Sequence, residues 1–168
     1  MRFHAPGEYF HIFNRGVLKQ PVFLIQPDYF RFLFLILTFQ GKFVVKNISR
    51  EMEHSVQGRT LHIEENLRKE ITKERIVELV AFCLVPNHFH LLVREVAEDG
   101  ISKYMQRVLT AYAKYFNLRH DKKGYLFQGR YKDVYIEDDR QLMHTSAYIH
   151  KHPCEIGLRG KEHLYPWS

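Results

Sequence analysis

The stretch 76–96 constrains this chain more than any other. Residues 76–85 are rich in β-branched and apolar types, Pro86-Asn87 supplies turn chemistry, and a second apolar run follows over 88–96. Two strands joined by so short a turn pair antiparallel. Side chains alternate faces along a strand, so His88 and His90 share one face while Phe89 and Leu91 take the other. Two imidazoles on one face form half of a metal site. The same pattern also describes a strand edge carrying two polar residues, and the segment alone does not separate these readings. A third ligand and a reactive group elsewhere would.

Upstream, residues 8–14 (EYFHIFN) alternate as a strand, with Asn14-Arg15-Gly16 as its exit turn. Pro27 and Asp28 open a run over 29–39 so apolar that it reads as a helix buried on most of its circumference. Asp28 is its expected N-cap, and Gly41 ends it. Residues 42–75 carry mixed charge and weak helical periodicity, as in a partly helical insertion between core elements. Asp99 is placed to cap the next helix, whose apolar positions 101, 104, 105, 108, 109, 112, 115 and 116 follow helical spacing. Residues 121–124 break that pattern, and 130–136 read as a fourth strand. Asp138 and Gln141 have capping-box spacing and open a last helix, which Pro153 ends.

The order is β-α-(insertion)-β-β-α-β-α. Without the insertion and the last helix, this is a ferredoxin-like βαββαβ unit, an α+β fold with an antiparallel sheet. At 168 residues the chain is most simply one domain.

Charge is unevenly spread. Residues 1–100 hold 13 Lys and Arg against 12 Asp and Glu, whereas 103–132 hold eight bases and Asp121 alone. The eight are Lys103, Arg107, Lys114, Arg119, Lys122, Lys123, Arg130 and Lys132, interleaved with Tyr104, Tyr112, Tyr115, Tyr125, Phe127 and Tyr131. A basic segment laced with aromatics suits a phosphate backbone with bases to stack on, and equally describes a solvated helix face. Asn14, Arg15, Arg130 and Lys132 are candidates for phosphate contacts and Gln128 for a base. Tyr112 and Tyr115 sit on the apolar stripe and belong to the core, while Tyr125 and Tyr131 suit stacking or phosphate contact. Cys83 and Cys154 have no C-x-x-C spacing, which argues against a zinc ribbon and fits a reducing compartment. With no apolar leader and no long apolar run, the expectation is a soluble cytoplasmic protein.

On the last helix, Leu142, Ser146 and Ile149 cluster on one side. Tyr148 falls opposite, between His144 and His152 at i−4 and i+4. If that helix packs on the histidine-bearing face of the sheet, Tyr148 is a nucleophile candidate and His152 a third metal ligand. An aromatic packing over a strand and an imidazole at a helix C-terminus are the plainer readings of the same residues.

Taken together, FCLVPNHFHLLV, the upstream YFHIFNRG, the segment from YFN to LFQGRYK and the late AYIHKHP resemble the single-tyrosine HUH transposases, most closely the REP-associated branch. His88-Phe89-His90 matches the histidine–hydrophobe–histidine motif, and the resemblance covers most of the chain outside 42–75. It implies a metal-dependent nuclease that binds single-stranded DNA beside a hairpin, cleaves with a tyrosine, and leaves a 5′-phosphotyrosine and a free 3′-OH. It implies His88, His90 and His152 as ligands of Mg²⁺ or Mn²⁺, Tyr148 as nucleophile, and a monomer or a homodimer. One position departs: where the family pattern has Asn or Gln four residues after the tyrosine, this chain has His152. Imidazole suits softer ions than an amide oxygen does, which points to Mn²⁺ or to a weakened third ligand. A nucleic-acid-binding protein on the same fold, without full catalytic power, is the alternative.

Overall fold

The structure is a computed structural model that describes residues 5–58 and 60–168. Strand β1 (Tyr9–Arg15) leads to helix α1 (Gln26–Thr38). The stretch 42–75 folds as α2 (Ile48–Ser55), a two-stranded ribbon of β2 (Val56–Gln57) and β3 (Thr60–Leu61), and α3 (Glu65–Lys73). Then come β4 (Val77–Val85), β5 (His88–Glu95), α4 (Gly100–Arg119), β6 (Lys132–Ile136) and α5 (Asp139–Lys151), which continues as a 3-10 turn over His152–Ile156. The main sheet has the order β4-β5-β1-β6 with every neighbouring pair antiparallel. Counting sheet strands along the chain, this is the 2-3-1-4 order of the expected ferredoxin-like unit.

Strand alternation divides the sheet between two cores. Phe10 and Ile12 of β1, Leu84 of β4, and Phe89, Leu91 and Val93 of β5 join α1 and α4 in the larger one. Residues of the other parity, Ala81, Cys83, Val85, Leu92 and Ile136, pack against Ile149 of α5. Burying a side chain such as Phe32 or Ile149, both fully shielded, contributes about 1.5–3 kcal/mol. One extra residue, Val80, makes the two-sided packing of β4 possible. Leu79 pairs with Val93 and Ala81 with Leu92, so a bulge flips the parity between them. Without it, the parity of Val77 and Leu79 would turn Ala81 and Cys83 into the larger core and away from α5.

Two caps differ from the sequence expectation. Helix α1 begins earlier, with Ile25 at the N-cap, and Asp28 is its buried third residue. The Asp28 carboxylate accepts from the backbone N–H groups of Leu24 and Ile25 and also from Tyr115 Oη. Asp99 has a left-handed backbone (φ 58°) and makes no side-chain cap bond. Buried Glu95 takes that role, accepting from Gly100 N at 2.7 Å and Ile101 N at 3.0 Å. The reason is spatial: the end of β5 lies beside the start of α4, so a strand carboxylate reaches the helix's free N–H groups. A Cβ on Gly100 would stand 2.2 Å from the Ile76 carbonyl oxygen, so only glycine permits this approach. Asp138 caps α5 as expected, accepting from Gln141 N at 2.7 Å.

Candidate active site

The face of the sheet under α5 carries the site. Across the ladder, Phe13 stands opposite both His90 and Lys132, and Arg15 stands opposite His88. Opposed residues share a face, so β1 and β6 bring Arg15, Phe13, His11 and Lys132 beside the two histidines of β5. Helix α5 then lays its last turn over them. Ile149 anchors the helix in the smaller core and turns Tyr148 toward the histidines. His152 follows one turn later, buried.

Nε2 of His88 and Nε2 of His152 face each other at 2.6 Å. Ligand atoms of His88, His90 and His152 all lie within 4.8 Å of one another. Neighbouring groups orient two of the rings. Asn87 Oδ1, 2.6 Å from His88 Nδ1, accepts its proton and leaves the His88 Nε2 lone pair free to point inward. His90 Nδ1 lies 2.8 Å from Nε2 of His11, while His90 Nε2 is buried without a hydrogen-bond partner. Burial, reinforced by the neighbouring His152, holds the pKa of His88 down at about 4 and that of His90 at about 2. His11 is likewise held at about 4 by burial and then by His152. The rings are therefore neutral at pH 7, the form in which imidazole ligates a cation. An unpartnered buried nitrogen, closely set imidazole nitrogens and a nitrogen-rich donor set together fit a divalent metal ion.

Tyr148 is 46% exposed, its ring centroid 5.6 Å from that of His90 and 5.4 Å from that of His152. Partial burial and the charge of Glu155 raise its pKa, and Arg15 opposes them. The ring lines two cavities. One, of about 410 Å³, is lined by Asn14, Arg15, His88, His90, Gln128, Lys132 and Glu155 among others. The second, of about 490 Å³, includes His11, Val134 and His144. A phenol standing over three imidazoles in a cleft with Arg15 and Lys132 can meet a phosphodiester.

The profile of the family described as "Transposase IS200 like" matches residues 40–152. The chain belongs to that family. The fold agrees: a solved structure of a REP-associated tyrosine transposase bound to a REP hairpin superposes with a TM-score of 0.61 at 16% identity, over 99% of this chain and 79% of that one. No curated protein matches the chain.

In this member of the family the other expected contact residues are spread over several parts of the fold. Asn14, Arg15, Gln128 and Lys132 line the cleft itself. Asn14 is buried and donates through Nδ2 to the Gly129 carbonyl, tying the end of β1 to the loop before β6. Arg119, Lys122 and Lys123 are exposed where α4 ends, beside Tyr125, which is 91% exposed. Lys103 and Lys114 are exposed on α4, which covers the opposite face of the sheet. Arg107, on the same helix, donates to the carbonyls of Gly41 and Phe43 and lies over the Phe39 ring, clamping the start of the 42–75 stretch. Arg130 is exposed, its guanidinium 5.4 Å from the ring centroid of Tyr131. Tyr131 is buried, as are Tyr104 and Tyr112. Tyr115 is partly buried against Asp28 and Arg31.

Sequence reasoning missed His11 and Glu155. His11 carries a faint signal, since it shares strand parity with Phe13 in EYFHIFN, yet nothing local says that β1 will lie beside β5. Glu155 lies beyond Pro153, where the helical pattern stops, in the 3-10 turn that continues the helix. No helix among the described residues is long and apolar enough to cross a membrane.

Proposed function

We propose that the chain, folded as one domain, is a metal-dependent endonuclease and strand transferase for single-stranded DNA, with Tyr148 as nucleophile and His88, His90 and His152 as metal ligands. The observation that carries this reading is the seating of Tyr148 against His90 and His152 inside a cleft that also holds Arg15 and Lys132.

Arg15 and Lys132 bind the backbone on either side of the scissile phosphate, and Gln128 contacts a neighbouring base. Tyr148 Oη attacks phosphorus. The Tyr–O–P bond forms as the P–O3′ bond breaks, and the departing 3′ oxygen takes up one proton for the one the phenol releases. The products are a 5′-phosphotyrosine and a free 3′-OH, one phosphodiester exchanged for another. The reaction can therefore run backwards onto a different 3′ end, which is strand transfer. A bound Mg²⁺ or Mn²⁺ supplies charge to the phosphate oxygens and favours phenolate over phenol. Asn87 and His11 hold His88 and His90 in the tautomers that leave a nitrogen lone pair free.

Hairpin-flanked DNA is the proposed substrate. The family, and a fold neighbour solved with a hairpin, support it, as do the basic residues around the exposed Tyr125 outside the cleft. The test is to incubate the protein with single-stranded hairpin oligonucleotides and Mn²⁺ or Mg²⁺, then offer the cut product to a DNA polymerase. Nicking that needs the cation and leaves an extendable 3′ end supports the reading. Tight binding without nicking across a broad hairpin panel favours a binding protein on this fold.

A further inference from the structure

One corner of the molecule, at the rim of the cleft, carries its barest apolar side chains. Among the described residues, Leu18 (93% exposed), Tyr125 (91%) and Leu118 (87%) are the most exposed large hydrophobics. The backbone brings them to the same place. Past β1 the chain pairs with the loop before β6: Arg15 O accepts from Gln128 N at 2.8 Å, Gly16 bridges Phe127, and Val17 N donates to Leu126 O at 3.0 Å. The next residues along these two segments are Leu18 and Tyr125. Asn117 donates through Nδ2 to the Gly124 carbonyl, which joins the end of α4, with Leu118, to that loop. Single exposed hydrophobics are ordinary, whereas several at one corner mark a contact surface.

Leu18 is also held in a conformation that its side chain disfavours. Residues 17–20 close a tight turn, Gln20 N donating to Val17 O at 2.9 Å, with Leu18 at φ 52° and Lys19 at φ 61°. Positive φ at both central positions is the demand of a type I′ turn, which Asn, Asp and Gly meet most easily. Leucine and lysine meet it with strain, and the exposed leucine gains nothing from burial in return. The surroundings fix the turn. Gly16 N and Val22 N donate to the Asn87 and Pro86 carbonyls, and a Cβ on Gly16 would stand 2.2 Å from the Gln20 carbonyl oxygen. The result is an apolar knob on a fixed base.

We infer that Leu18 and Tyr125 form a platform for the terminal base pair of a DNA hairpin stem, beside the cleft that takes the single strand. This rests on the proposed reading of a hairpin-flanked substrate. A duplex end presents a flat apolar base pair, on which an aromatic ring stacks and against which an aliphatic side chain packs. Charge suits that partner: Lys19, Arg119, Lys122 and Lys123 are exposed on these segments against Asp121, which favours nucleic acid over a protein surface. Position suits it as well. Arg15 and Gln128 line the cleft, and Leu18 and Tyr125 stand three residues further along their segments. Three residues span at most about 11 Å, so the foot of the stem sits next to the strand entering the cleft.

The test compares two oligonucleotides without added cation: a hairpin with a single-stranded extension, and the extension alone. Wild type, Leu18→Asn, Tyr125→Ala and Arg15→Ala are titrated against each by fluorescence anisotropy. Wild type should prefer the hairpin, and Leu18→Asn and Tyr125→Ala should each lower that preference about fivefold or more. Arg15→Ala should weaken both DNAs alike and keep the preference. Asparagine tolerates the left-handed backbone, so the thermal midpoint of Leu18→Asn should equal or exceed that of wild type. A wild-type preference in both platform variants, with Arg15→Ala still weakened, overturns the platform and leaves the cleft reading standing. A lowered midpoint with an unchanged preference makes the leucine a structural residue and overturns it too. No hairpin preference in wild type overturns the platform together with the hairpin substrate.

Discussion

His90 Nδ1 and His11 Nε2 lie 2.8 Å apart, their rings stacked with centroids 5.0 Å apart. When His90 uses Nε2 as a ligand, Nδ1 carries the proton and donates it to His11. His11 thereby fixes tautomer and ring orientation from outside the donor set. His11→Ala should weaken Mn²⁺ binding about 10–100-fold without abolishing it, and His11→Gln should recover part of the loss. Isothermal titration of the DNA-free protein measures this. An unchanged affinity in His11→Ala would remove His11 from the site.

Acid should weaken the metal-free fold. His11 and His88 are held at about 4 and His90 at about 2, against about 6.5 in an unfolded chain. Between these values the unfolded chain binds more protons, so stability is greatest above about pH 6.5 and falls as the pH drops toward 4. The thermal midpoint of the metal-free protein should decline steadily from pH 7 to pH 5. Added Mn²⁺ should raise it at pH 7 and do less at pH 5, because protons compete for the same nitrogens. A flat midpoint across that range would contradict neutral, buried imidazoles.

The start of α4 separates two carboxylates that look alike in sequence. Glu95→Ala removes two buried charge-assisted bonds to the helix N-terminus and should cost about 2–4 kcal/mol. Asp99→Asn keeps a residue tolerant of the left-handed backbone and should stay within about 0.5 kcal/mol of wild type. Chemical denaturation of the two variants compares them. Equal costs would mean that Asp99 caps the helix after all.

Salt dependence should sort the basic residues by role. Arg15→Ala and Lys132→Ala each remove one phosphate contact, and each should flatten the slope of log affinity against log salt by about 0.7 for single-stranded DNA. Arg107→Ala should leave that slope unchanged and lower stability by about 1–2 kcal/mol, since its guanidinium holds the carbonyls of Gly41 and Phe43. A reversal of the two behaviours would place the DNA path along α4 instead of through the cleft.

What could be read beforehand, and what could not, follows from the range of the interactions. The hairpin around Pro86-Asn87, the long amphipathic α4 and the Asp138 cap are local patterns, and they appear as expected. The H-x-H pair and the one-turn spacing from Tyr148 to His152 are also local, so most of the proposed site was visible. His11 was not, because it meets His90 only through the β1–β5 register, 79 residues away along the chain. The exchange of Asp99 for Glu95 at the helix start depends on tertiary proximity, as does the engagement of Arg107 inside the fold. The Val80 bulge breaks the strand's own periodicity, and only the packed sheet reveals where the parity changes.

The most direct test of the account is to locate the covalent bond. The protein would be incubated with a hairpin-bearing single-stranded oligonucleotide and Mn²⁺, digested with nuclease and protease, and its peptides mapped by mass spectrometry. The account predicts a nucleotide-phosphate adduct on the peptide that contains Tyr148, absent without cation and absent in His88→Ala. An adduct on Tyr125, on another tyrosine or on a histidine, or one that forms equally well in Tyr148→Phe, would contradict it.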